Sequence, residues 1–168
     1  MSAPAAVHQA VRARAQGRCE YCHSPEWVCA ARFTLDHLLP RSLGGTDDPD
    51  NLALACRRCN ERRYNFMTGR DPVTQQDLPL FHPVRERWVA HFAWTSEGQW
   101  IVGQTPTGRA TVERLDLNDE RHDDGFIRMS RALWVQGGWH PLPLIRLSHT
   151  LCDSVSPLGS GGRALLNG

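Results

Sequence analysis

The chain contains no lysine: every one of its basic residues is arginine. Arginine is the better bidentate phosphate ligand, but genome composition can produce the same bias, so the absence alone assigns nothing. No apolar run approaches the length of a bilayer span, which excludes a transmembrane helix on the sequence's own terms. Met1 to Gln16 is alanine-rich but broken by His8, Arg12 and Arg14, so it lacks the apolar core of a secretory signal. No segment repeats. A surplus of charge is missing too: 19 basic against 18 acidic residues leave a net charge of +1, which taken alone argues against a polyanionic partner. The distribution argues the other way. Residues 1–70 carry ten arginines against seven acids (+3), and residues 71–168 nine against eleven (−2).

Six cysteines are present, and four of them stand as Cys19/Cys22 and Cys56/Cys59. Each Cys-x-x-Cys pair can close two thiolates on one ion, and two pairs supply the tetrahedral set of a structural Zn²⁺ site. The alternative is two buried or disulfide-bonded pairs. Nothing else in the chain has a secreted character, so zinc in a reducing cytoplasm is the expectation. Cys29 and Cys152 are left over. His23 is a conceivable substitute ligand, but four sulfurs already suffice.

Between the cysteine pairs, Phe33-Thr34-Leu35 is a short β-prone run that delivers Asp36-His37 at its end. Leu43 to Asp50 is turn chemistry, with Gly44-Gly45 and Asp48-Pro49. Asn51 to Ala55 offers a second extended run. Cys56 to about Met67, free of Pro and Gly and rich in Arg and Glu, reads as a helix. It carries Asn60 in its first turns.

The stretch D-H-L-L-P-R-S-L-G-G-T-D-D-P-D-N-L-A-L-A-C-R-R-C-N, Asp36 to Asn60, resembles the HNH nuclease motif in its zinc-containing subtype. The motif's first His matches His37, its Asn matches Asn51, and its last position, His or Asn in that family, matches Asn60. The resemblance covers about Arg18 to Arg70. It implies an α+β protein with a ββα-metal core, a four-cysteine zinc knuckle and metal-dependent phosphodiester hydrolysis. Within that scheme His37 would be the general base, since a histidine's reference pKa of about 6.5 suits the task near neutral pH. Asp36 and Asn60 would hold one Mg²⁺ or Mn²⁺ through hard oxygens, and Asn51 would orient His37 through the loop backbone. Arg41 and the cluster Arg57, Arg58, Arg62 and Arg63 are expected to meet phosphates, most simply those of double-stranded DNA. The competing function is a catalytically silent zinc-knuckle module that binds nucleic acid or a protein. Such a module would need none of Asp36, His37 and Asn60.

The remaining chain reads as support. An N-terminal helix over residues 1–17 should place Val7, Ala10 and Val11 on the core and stop at Gly17. Residues 18–70 are the motif core and 71–141 a small α/β extension, looser in its likeness to small bacterial HNH proteins. That extension should hold a proline-rich connector over 71–83 and a hairpin turning at Glu97-Gly98. A helix should open at Thr105-Pro106. A last helix over 119–136 should turn Phe126, Met129, Leu133 and Trp134 to one side. Trp27 is expected in the core, and 142–168 as a loosely held tail.

Overall fold

The computed structural model describes residues 3–140; the expected tail at 142–168, with Cys152, lies outside them. Helix α1 (Ala5–Arg14) buries Val11. At its end Arg14 donates to the carbonyls of Pro49 and Leu52, at 2.8 and 2.5 Å, and pairs with Glu20. The chain then passes through left-handed Gln16 and Gly17 into the first cysteine pair. Strands β1 (Thr34–His37) and β2 (Leu52–Ala55) pair antiparallel, with Asp36 opposite Ala53 and His37 opposite Leu52. β2 is buried at all four residues, which accounts for its continuous apolar Leu-Ala-Leu-Ala. Helix α2 (Arg57–Arg63) follows directly.

Helix α2 is shorter than its composition predicts. It stops at Tyr64, whose φ of 48° and ψ of −123° leave the helical region. Residues 64–67 of the expected helix are turn and coil, and they lead into a hairpin in which β3 (Thr68–Arg70) pairs antiparallel with β4 (Asp77–Pro79). No strand was expected in the proline-rich connector. The turn is locked by buried Asp71, which accepts from Arg109 Nε and Nη2 at 2.8 Å each and from the Thr74 hydroxyl at 2.8 Å. Arg109 above all holds the Asp71 carboxyl well below the usual range, against the opposing pull of burial. A carboxyl depressed by folding stabilises the native state above its unfolded pKa, and that stability is lost as pH falls towards the folded value. Asp71→Asn should therefore lower the melting temperature at pH 7. The gap from wild type should close as pH drops below about 4, the unfolded carboxyl range, and thermal melts across pH check this.

The extension continues with α3 (Trp88–His91), β5 (Phe92–Trp94), β6 (Ile101–Gly103), α4 (Pro106–Leu115) and α5 (Phe126–Gln136). β5 and β6 pair antiparallel around Gly98 at φ 70°, as the sequence predicts. The Thr105 side chain caps α4 by accepting from Gly108 N at 3.0 Å. α4 lies on β3 at Gly69, where a Cβ would come within 2.6 Å of the Ala110 carbonyl; only glycine permits that approach. Trp88, Phe92, Trp94 and Phe81 form the aromatic core, and Trp88 Nε1 donates to the Tyr21 carbonyl at 2.9 Å. That bond ties the extension to the cysteine knuckle.

Two expectations need correction. The last helix begins at Phe126 and not near 119, because Asp123, Asp124 and Gly125 all sit at positive φ. Its buried side is Ile127, Arg131 and Trp134, while Phe126, Met129 and Leu133 are each more than half exposed. The reason is Arg131, fully buried and donating to the carbonyls of Gln99 and Leu117 and to Asn118 Oδ1. A polar anchor set the helix phase, which apolar periodicity does not register. Trp27 likewise is exposed, lying on a single 3₁₀ turn with the Arg18 guanidinium 4.7 Å from its ring. Among the described residues no helix is long and apolar enough to cross a membrane.

Candidate active site and metal centre

The knuckle is built by two turns. In the first, Cys19 N–H donates to Ser24 O and His23 N–H to Cys19 O, with His23 at φ 55°. Glu20 ties this turn to β2 twice, through its own N–H to Leu54 O and through its carboxylate, which accepts from Leu54 N–H at 2.7 Å. In the second, Cys56 leads into α2 and Cys59 lies in its first turn. The sulfurs of Cys19, Cys22, Cys56 and Cys59 are all buried and all within 4.8 Å of one another. Cys22 and Cys56 are 3.7 Å apart. Tetrahedral Zn–S bonds of about 2.3 Å require sulfurs about 3.8 Å apart, so the donor set fits a structural zinc. His23 is not part of it. Its ring stacks on Trp88 at 4.4 Å, and burial lowers its pKa to about 4.

The pKa pattern follows from this packing. Burial pushes the Cys19 thiol up, whereas hydrogen bonds from Cys19, Cys56 and Cys59 pull the Cys22 thiol down. Burial works against the Arg58 cation, but the Cys59 and Cys22 sulfurs and Asp119 hold it charged, above its usual range.

Asp36, His37 and Arg41 reach one open cleft together with Asn60, whose wall also includes Glu61 and Tyr64. Asp36 and His37 are neighbours on β1, yet both serve the cleft because the strand ends at His37 and the chain turns. Asp36 is 4% exposed. Its Oδ2 accepts from the Tyr21 hydroxyl at 2.6 Å and its Oδ1 from Arg63 at 3.3 Å. Burial raises its pKa, with Arg63 and Tyr21 pulling the other way. Asn60 Nδ2 donates to Thr34 Oγ1 at 2.9 Å, so the amide is fixed by β1 of the same sheet.

His37 Nε2 lies 2.8 Å from Asp47 Oδ1 and 3.1 Å from Arg41 Nε, and Arg41 Nη2 also reaches Asp47 at 2.5 Å. The two contacts ask opposite roles of one nitrogen. Asp47 accepts from a protonated Nε2; Arg41 donates to an unprotonated one. Both states of the imidazole therefore have a partner. The hydrogen bonds from His37 and Arg41 hold the half-buried Asp47 carboxyl below its usual range.

Asn51 is outside the cleft and pins the loop that returns Asp47 to His37. Its Oδ1 accepts from Leu39 N–H at 2.8 Å, and its Nδ2 donates to the carbonyls of Leu39 and Thr46, at 3.1 and 2.9 Å. The loop is so tight that a Cβ at Gly45 would lie 1.8 Å from Leu39 O. Strand pair, pinned loop and short helix are joined by the cysteine set at both ends.

Residues 19–66 match the HNH endonuclease family model. The matched segment holds all four cysteines and every residue of the cleft, so the likeness drawn from Asp36 to Asn60 coincides with the geometry. The HNH segment points to nuclease-type function on nucleic acid with a zinc site. No curated protein and no solved structure matches the chain.

The arginine cluster on the HNH helix departs from expectation. Arg58 and Arg62 both bind the fully buried carboxylate of Asp119, at 2.5 and 2.6 Å, and Arg62 reaches Asp123 at 2.8 Å. Arg63 is buried on Asp36 and on the His37 and Leu38 carbonyls. Arg57 alone is widely exposed, paired with Glu61 at i+4. Helix composition shows charge but not direction, and here the charge is directed at the extension. Removing one partner of a buried pair costs about 3–5 kcal/mol. Asp119→Ala should destabilise by about that much in a denaturant titration, and a loss below about 1 kcal/mol would contradict the assignment. Asp47 and Tyr21 were not anticipated at the site, and Arg63, expected on a phosphate, holds Asp36 instead. The only sequence signal for Asp47 is its place just past the Gly-Gly turn.

Proposed function

We propose that the chain is a metal-dependent endonuclease that hydrolyses phosphodiester bonds in double-stranded DNA. One observation carries this reading: Asp36, His37, Arg41 and Asn60 line a single cleft within the HNH segment. His37, at the strand end, takes the proton from the attacking water. Asp47 then accepts from the protonated ring and keeps it in place. Arg41, which donates to the unprotonated ring in the free protein, is the group that turns to the phosphate when substrate enters and so frees the His37 lone pair. Asn51 keeps the loop, and with it Asp47, in register. Asp36 and Asn60 fit a small hard cation, since Mg²⁺ takes one or two carboxylates and completes its shell with water and phosphate oxygens. Asp36 retains acceptor capacity beyond its two hydrogen bonds, because an ionised carboxylate offers about four lone-pair sites. A Mg²⁺ or Mn²⁺ ion there would offset charge on the phosphate and on the leaving 3′ oxygen. The zinc cysteines serve the fold. Within this scheme 18–70 is the catalytic unit, α1 and the 71–141 segment are its scaffold, and the protein works in the reducing cytoplasm.

The second reading, a zinc module that binds without cutting, draws on one feature: Asp36 is buried and hydrogen-bonded at both oxygens. Supercoiled plasmid incubated with the protein in Mg²⁺, Mn²⁺ or a chelator separates the two. Conversion to nicked and linear forms only with the divalent ion supports the nuclease. Binding without conversion in any divalent ion supports the silent module.

A further inference from the structure

We propose that Tyr64 and Phe66, backed by Arg114, form a stacking platform for an unpaired base beside the scissile phosphate, so that the protein prefers distorted or locally single-stranded DNA. The inference rests on the nucleic-acid reading of the cleft and names the form of substrate that cleft favours.

Three observations converge. Tyr64 lines the same cleft as His37 and Asn60, yet the residue is 68% exposed. Its backbone is at φ 48° and ψ −123°, a region that a bulky side chain rarely adopts. The backbone closes a tight turn there, Phe66 N–H donating to the Arg63 carbonyl at 3.0 Å, and among the described residues the ring's aromatic neighbour is Phe66, tilted 56° at 6.3 Å. Strain at an exposed aromatic next to a cleft is of the kind kept where a ligand uses it.

Phe66 is 45% exposed, and the Arg114 guanidinium lies 3.3 Å from its ring centroid. Arg114 comes from α4, brought to this rim by the close approach at Gly69, where its Cβ also lies. Its Nε has no hydrogen-bond partner, and among the described residues no carboxylate forms an ion pair with it. A cation under an aromatic plate, next to a second plate and the open cleft of His37 and Asn60, is the combination that holds single strands: bases stack and the backbone meets positive charge. A base inside a perfect duplex has both faces covered by its neighbours and offers no plate to Tyr64. Only an unpaired or extruded base does, and taking one out is cheapest where pairing is already broken.

The test is equilibrium binding with the full-length, zinc-loaded chain carrying His37→Ala to prevent cutting. The probes are a labelled 20-mer duplex and the same duplex with a three-base bubble containing 2-aminopurine. The bubble should bind about tenfold more tightly, in line with one base–aromatic stack, and its 2-aminopurine fluorescence should fall on binding. Tyr64→Gly, which suits the positive φ and so keeps the fold, should bring the preference near unity and abolish the fluorescence change. Tyr64→Trp should keep both. Equal affinity for bubble and duplex, or a preference that survives Tyr64→Gly, overturns the platform. The plasmid assay fails independently: a protein that never cuts but shows a Tyr64-dependent bubble preference refutes the nuclease and keeps the platform, whereas cutting without the preference does the reverse.

Discussion

Replacing His37 with alanine should lower plasmid cleavage by about 10²–10⁴-fold, the usual contribution of a positioned general base, with zinc content and melting temperature unchanged. The fold does not depend on the ring. His37 belongs to the sheet through its backbone, opposite Leu52, and its carbonyl, which accepts from Arg63, survives the change. Asn60→Ala is the comparable probe of the ion site, since it gives up only the contact with Thr34. Asp36→Ala is a poorer one. It would strand Arg63 and the Tyr21 hydroxyl in a buried place, and an unsatisfied buried cation is costly, so lost activity would mix with lost stability. Asp36→Asn keeps an acceptor for Tyr21 and is preferable. Cleavage by the His37 variant at the wild-type rate would remove the mechanism.

The largest effect on stability should come from the cysteines. Structural zinc contributes about 10–16 kcal/mol of apparent binding free energy in small zinc domains, as much as or more than the roughly 5–15 kcal/mol that holds a typical domain together. Cys56→Ser, or prolonged treatment with a strong chelator, should therefore unfold the motif rather than weaken it. Elemental analysis should give one zinc per chain in wild type. The far-ultraviolet circular dichroism of the variant should lose its cooperative melt. An unchanged melt after zinc removal, or iron in place of zinc, would refute the assignment.

The parts of this arrangement that could be read from the sequence are those set by short-range chemistry. Cys-x-x-Cys spacing, the Asp36-His37 pair at a strand end, the Gly44-Gly45 turn and the Thr105-Pro106 cap are local signals, and each reappears in the structure. What could not be read depends on partners far along the chain. Arg58 and Arg62 look like a phosphate grip until Asp119 is folded against them. The phase of α5 is set by Arg131 reaching the carbonyls of Gln99 and Leu117, in the loops before β6 and after α4. The early end of α2 turns on a single strained residue, Tyr64, which no propensity scale would place at positive φ. In the cleft, Asp36, His37 and Asn60 came from the motif, but Asp47 reached His37 only through the loop that Asn51 pins.

The grip of Asp119 on Arg58 and Arg62 also has a bearing on how the chain is made. Asp119 lies sixty residues after the last knuckle cysteine, Cys59 (119 − 59 = 60). At synthesis rates of about 5–20 residues per second, a nascent chain carries the completed cysteine set for roughly 3–12 s before Asp119 follows it. During that interval the two arginines are cations without their carboxylate, emerging beside the RNA of the ribosome. Order of birth would thus expose a basic helix that the finished protein covers, and ribosome-bound chains halted before Asp119 should be released at higher salt than chains halted after α5.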